Sequence, residues 1–182
     1  MIKSTVALLE KICSRSHPLV DLYSRPYMRV VQNEIGLARI AAADRVLNIG
    51  CGAIPFTAML IARLTGARVV AVDRDPQAAR LAEACVRQAR LASLIRIVVS
   101  DGSRSAWAPH GFDVAVVALQ AEPKAGILSS LLDSGQGPSR VVARVPRDSF
   151  LDQYDPLPHD CPIAARAAQN MKTFEWSALI VA

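Results

Sequence analysis

The sequence predicts an α/β fold: a doubly wound, mostly parallel sheet of about six strands, with a helical extension before it. Three observations predict it. From residue 44 onward, short apolar strands alternate with segments of helical period. A glycine-rich turn follows the first of those strands. The second and third strands each end in an aspartate.

Taken in order, residues 4–13 have helical periodicity, and His17-Pro18 interrupts it, so His17 reads as a helix-junction residue. Leu19, Leu22, Tyr27, Val30, Val31, Ile35, Leu37 and Ile40 then recur at helical spacing, with Pro26 expected to open a second helical piece. Residues 1–43 are therefore expected to form a helical lid or extension, and residues 44–182 the α/β domain. Within that domain, strands are expected at 45–50, 68–72, 94–99, 112–119, 139–145 and 174–181. Helices are expected at 55–64, from Pro76 to about Leu91, at 124–132 and at 162–171. Asp75 is a natural N-cap and Pro76 suits the first helical position. Residues 146–162 carry four prolines and four acids and read either as a loop over the site or as a long connection.

The chain has 182 residues, enough for one domain with a substantial core. It is 52% hydrophobic but only 5% aromatic, so Ala, Val, Leu and Ile do the filling, as in a buried parallel sheet. The net charge of +5 comes without a Lys/Arg run longer than two or an aromatic-basic stripe, so no nucleic-acid partner is expected. No apolar run is long enough to span a bilayer, and no signal peptide is evident. The four cysteines form no CxxC pair and no zinc spacing, and are expected to be reduced thiols in a cytoplasmic protein. His110 and His159 lack metal-ligand spacing, so no metal is expected. The final strand, read as exposed, leaves a homodimer open.

Chemistry concentrates at the carboxyl ends of the strands, where open α/β sheets bind ligands. Gly50-Cys51-Gly52-Ala53-Ile54-Pro55 forms the first turn, and its glycines let a ligand approach the backbone at the start of a helix. Asp73, followed by Arg74, ends the second strand, where an acid accepts hydrogen bonds from ribose hydroxyls. Asp101-Gly102 ends the third, beside the same crevice and within reach of an adenine amine. A nicotinamide dinucleotide site would want a third small residue where this chain has Pro55. Turn and capping roles alone are the plainer alternative for both aspartates.

These residues resemble motif I and the ribose and adenine acids of the class I S-adenosylmethionine-dependent methyltransferase superfamily, over about residues 44–145. The resemblance implies a Rossmann-like fold and S-adenosylmethionine as cosubstrate or sole substrate. A narrower resemblance lies outside that span. His17-Pro18-Leu19, Arg25-Pro26-Tyr27 and Asn33-Glu34, with the turn Gly50 to Thr57, Arg144 and the ending Ala178 to Val181, are similar to nicotianamine synthases and related opine-metallophore enzymes. That family transfers the aminocarboxypropyl group of S-adenosylmethionine to an amine. The chain is shorter than those enzymes, and Cys51 and Ala53 depart from their turn. A compact chain of this kind suggests an intramolecular version, in which the cofactor's own amine closes an azetidine ring.

The expected roles follow. Glu34 is the first candidate for a base that frees the attacking amine; the plainer alternative is a solvated helix residue. Tyr23 and Tyr27, four apart, would line the lid with hydroxyls or present π-faces to the sulfonium, or else simply pack. Arg144 would hold the cofactor's carboxylate as a bidentate donor, and Gln120 would face the transferred group. Cys51 reads as a small turn residue rather than a nucleophile. The competing functions are a small-molecule methyltransferase and a non-catalytic binding module that keeps the fold.

Overall fold

A computed structural model describes residues 17–104, 111–133 and 137–181, with side chains from Tyr27 onward. The helix expected at 4–13 lies outside the described residues. The first described element is helix α1, His17–Ala38. It runs through Pro26 without a break, so the expected second helical start there is not found. A proline inside a helix costs one backbone hydrogen bond, and packing of the following residues offsets that here: Val30 and Val31 are buried.

Then follow β1 (Arg45–Ile49), α2 (Phe56–Thr65), β2 (Arg68–Asp73), α3 (Pro76–Gln88), β3 (Ile95–Val99), β4 (Val114–Val117), α4 (Lys124–Leu132), β5 (Arg140–Pro146), β6 (Ile163–Ala168) and β7 (Phe174–Val181). Asp75 caps α3 by accepting from the Gln77 N–H at 2.8 Å, with Pro76 at the first helical position. The sheet has seven strands in the order β3-β2-β1-β4-β5-β7-β6. The first five pair in parallel, while β7 runs antiparallel between β5 and β6.

Two expectations change at this edge. The segment 162–171 was expected to be helical, and Ile163–Ala168 is a strand. Its alanines favour a helix only weakly, and pairing with β7 overrides that preference. Arg166 lies over the Trp176 ring at 4.2 Å, a cross-strand contact that a helix would forfeit. The final strand is also not exposed as an edge: β7 is paired on both sides and β6 takes the edge, so the argument for a homodimer from a bare final strand loses its premise.

The core lies on both faces of the sheet. On one, Val46, Val69, Val114 and Val142 meet α1, α2 and α3. On the other, Leu47, Ile49, Val117 and Ala143 meet Ile127, Leu128 and Leu131 of α4. The strands β1 and β4 are nearly all buried, which is why they read as unbroken apolar runs. The chain winds outward from β1 to β3 and then returns to β4. The crevice between β1 and β4 is thus the switch point at which ligands bind in such sheets.

Cys51 and Cys161 are free. Cys85 is disulfide-bonded, so the expectation of reduced thiols throughout does not hold.

Candidate active site

One cavity of about 450 Å³ opens at the carboxyl ends of β1 to β5. The turn after β1 forms its floor. Gly50 and Gly52 have φ of +79° and +66°, a left-handed backbone that favours glycine. The N–H groups of Gly50 and Cys51 both donate to the Val72 carbonyl at 2.9 Å, which ties the turn to β2. The next N–H, of Gly52, donates to Asp73 Oδ2 at 2.7 Å, and the Asp75 N–H donates to Oδ1 at 3.0 Å. Asp73 therefore shapes the turn. Each carboxylate oxygen still has a second lone pair with which to accept a hydroxyl.

Asp101 accepts from the Ser103 N–H at 2.9 Å and from its hydroxyl at 2.8 Å. These bonds hold its carboxyl below the usual aspartate range, so it is an acceptor at neutral pH. Gly102 sits so close to β1 that an added Cβ would stand 2.4 Å from Ile49 Cγ2. The third turn is thereby pressed against the first, and Arg74, Asp101 and Gly102 line one end of the cavity with Asp73. Pro55 is buried at the N-cap of α2 and does not line the cavity. Cys51 does line it, but burial, reinforced by Asp73, pushes its thiol up to about 12. It is a thiol rather than a nucleophilic thiolate at neutral pH.

The opposite end is built from distant segments. Tyr27 from α1, Phe56 and Thr57 from α2, and Arg144 from β5 line it. Glu34 does not; it lies behind Arg144, fully buried. Arg144 donates from Nε to Glu34 Oε1 at 2.8 Å, and from Nη2 to Glu34 Oε2 and Thr57 Oγ1, each at 2.9 Å. Its guanidinium sits between the Tyr27 and Phe174 rings, 5.8 and 5.7 Å from their centroids. Burial opposes the charge of Arg144, but Glu34 outweighs it and holds the group above its usual range. Behind the pair, the Ser177 hydroxyl donates to Glu34 Oε1 at 2.9 Å, and Gln169 Nε2 donates to Ser177 Oγ at 3.1 Å. Asn33 Nδ2 in turn donates to Gln169 Oε1 at 3.0 Å.

Both oxygens of Glu34 are thus engaged, and of the Arg144 nitrogens only Nη1 makes no hydrogen bond to a described residue. A carboxylate engaged by a bidentate guanidinium and a hydroxyl orients the guanidinium; it is not placed to collect a proton from the cavity. Tyr27 stacks on Phe56, with ring centroids 5.8 Å apart at 14°. Tyr23 belongs to α1, but its side chain lies outside those described. Gln120 lines the cavity from the turn after β4.

Sequence reasoning gave no role to Ser177 and Gln169, which carry no motif and come from β7 and the turn after β6; Thr57 falls within the glycine-turn motif, but its contact with Arg144 is set by the docking of α2. From the turn after β4 it named Gln120 but not Glu122 or Lys124. There Glu122 lines the cavity, while Lys124 is fully buried and donates from Nζ to the Leu119 carbonyl at 2.7 Å. The run 147–161 supplies no cavity lining and acts as a packed connection. Tyr154 meets Val30, Leu119 and Phe174, and Asp155 accepts from the Lys124 N–H at 3.2 Å. Among the described residues no helix is long and apolar enough to cross a membrane, and no His, Cys, Asp or Glu cluster could hold a metal.

Residues 46–130 match the family described as a methyltransferase domain. An L-histidine 2-aminobutanoyltransferase of Yersinia pestis is 29% identical over 73% of this chain and 49% of its own length. A ribosomal RNA small subunit methyltransferase A of Anaeromyxobacter dehalogenans is 34% identical over 80% of this chain and 49% of its own length. The chain therefore spans about half the length of these curated relatives. A nicotianamine synthase solved with MTA and tNA superposes with a TM-score of 0.82 at 23% identity, over 95% of this chain and 67% of that one. A glutamate-to-glutamine variant of that enzyme in complex with S-adenosylmethionine gives 0.83 at 23% identity, over 98% and 72%. Residues 46–130 thus resemble a methyltransferase domain, and the chain as a whole shares its Rossmann-like α/β fold with nicotianamine synthase.

Proposed function

We propose that this protein is an S-adenosylmethionine-dependent transferase that uses the 3-amino-3-carboxypropyl group of that molecule and releases methylthioadenosine. The observation that carries the reading is Arg144, lining the cavity at the end away from Asp73 and Asp101 while Glu34 holds its guanidinium. The adenosine portion suits the aspartate end: Asp73 and Asp101 supply acceptors for ribose hydroxyls and an adenine amine, and the glycines leave room for close approach. Its α-carboxylate then suits Arg144, whose Nη1 is the guanidinium nitrogen left over from Glu34 and Thr57. With both ends fixed, the position of the nucleophile selects the carbon attacked, and this reading puts it in line with the γ-carbon rather than the methyl. The Tyr27 and Phe56 rings give the sulfonium an aromatic wall. A relative named for aminobutanoyl transfer to L-histidine, and a fold neighbour that holds MTA, support the same class of chemistry.

The cavity is at the small end of the roughly 300–1,000 Å³ of small-molecule sites. That favours a small amine acceptor, or no acceptor at all, with the cofactor's own amine closing azetidine-2-carboxylate. Incubation with S-adenosylmethionine alone, and then with amino acids, followed by product analysis, tests both forms. Methylthioadenosine is the expected by-product. S-adenosylhomocysteine without methylthioadenosine would overturn the reading in favour of methyl transfer to a small molecule, the second reading, which the domain match at residues 46–130 supports.

A further inference from the structure

Amine attack on the γ-carbon leaves a proton to be removed, and the cavity offers few groups to take it. Of the carboxylates at or near it, Glu34 lies behind Arg144 and is consumed by that residue and Ser177. Asp73 is engaged by two backbone N–H groups, and Asp101 by Ser103. Cys51 is a protonated thiol. Glu122 is different. It lines the cavity and makes no hydrogen bond or ion pair with any described residue. Its place is also held firmly. The preceding residue, Ala121, bonds back to the Ala118 carbonyl at 3.2 Å, and its Cβ stands 3.1 Å from where a Cβ on Gly50 would lie. Two residues on, Lys124 anchors the turn to Leu119 and to Asp155. In the strand order, the turn after β4 falls between the glycine turn of β1 and Arg144 of β5, which is where the reacting end of the substrate belongs.

We infer that Glu122 is the catalytic base that receives the proton of the attacking amine. The inference rests on the reading given under Proposed function. The nitrogen–γ-carbon bond forms as the carbon–sulfur bond breaks. The electron pair of that bond leaves on sulfur, which becomes the neutral thioether of methylthioadenosine. The proton displaced from nitrogen passes to the Glu122 carboxylate and from there to water. The same step serves an external amine or the substrate's own.

The test compares the wild type with Glu122→Gln and Glu122→Ala. Three quantities are measured: methylthioadenosine release at saturating S-adenosylmethionine, calorimetric affinity for S-adenosylmethionine, and melting temperature. The expected result is a fall in kcat of about 10²- to 10⁴-fold, the range for a general base, with melting temperature and affinity retained. Partial rescue of Glu122→Ala by added formate or acetate is also expected, and a merely structural role would not produce it. Wild-type turnover in both variants, or weaker affinity with unchanged kcat, would overturn the role of Glu122 and leave the reaction class standing. If the wild type itself yields S-adenosylhomocysteine in place of methylthioadenosine, the reaction class falls and this role with it.

Discussion

The two ends of the cavity are built on different principles. At the aspartate end, each acid is held by backbone a few residues away or across one strand pair: Asp75 and Gly52 for Asp73, Ser103 for Asp101. At the arginine end, the central contact joins residues 110 apart in the chain, Glu34 and Arg144, and both are buried. The first end is a set of turns that forms wherever three parallel strands align. The second exists only when α1, α2, β5 and β7 are all docked. On the proposed reading, cofactor recognition by local turns is therefore separable from control of the reacting group by long-range packing.

The largest expected effect tests that separation. Glu34→Ala leaves the Arg144 charge buried without its partner, and should cost about 3–5 kcal/mol in urea unfolding. The paired change Glu34→Leu with Arg144→Met should recover much of that stability, because a well-packed apolar pair replaces a costly ionic one. It should still bind S-adenosylmethionine poorly, for want of a guanidinium in the cavity. Equal stability loss in the single and paired variants would show that the two ends are not separable.

At the aspartate end, Asp73→Ala removes two charge-assisted bonds. Each is worth about 1.5–3 kcal/mol in favourable cases. The expected outcome is a loss of S-adenosylmethionine affinity by calorimetry of at least tenfold, about 1.4 kcal/mol, with Glu34–Arg144 stability intact. Gly102→Ala drives a methyl group into Ile49 and should cost about 1–3 kcal/mol, the range for overpacking. A change of melting temperature reads it.

Smaller effects concern protonation. Burial lowers the Lys124 pKa from its ordinary 10.5, partly offset by Asp155 and Glu122. Between the lowered folded value and 10.5 the unfolded lysine binds more protons than the folded one, so this residue makes stability rise with pH across that window. Lys124→Met should flatten the rise, measured as unfolding midpoints at intervals of alkaline pH. Smallest of all, Cys51 should resist alkylation in the folded protein near neutral pH, because its thiol is buried and kept protonated. Mass spectrometry after iodoacetamide treatment reads this, with the denatured protein as the reactive control.

The alternation of strands and helices was legible because a parallel sheet buried on both faces demands unbroken apolar runs such as Val114 to Val117. The glycine turn, Asp73 and Asp101 were legible because backbone geometry and chain direction alone place them together. The strand at Ile163–Ala168 was not legible, since its alanines carry no strand signal and only β7 makes it one. Nor was the state of Glu34. Its sequence neighbours say that it lies on a helix, and nothing local says that Arg144 and Ser177 will meet it there.

By itself, then, the sequence determined the α/β class, the three strand-end turns and the residue types a nucleoside-bearing ligand needs, because these depend on local propensity and period. Tertiary structure alone decided which carboxylates remain available. Glu34, the natural candidate for a base, is spent on Arg144, while Glu122, in a turn with no motif, lines the cavity without a hydrogen bond or ion pair to any described residue. Availability is a property of the partners a group finds, and those partners come from distant parts of the chain.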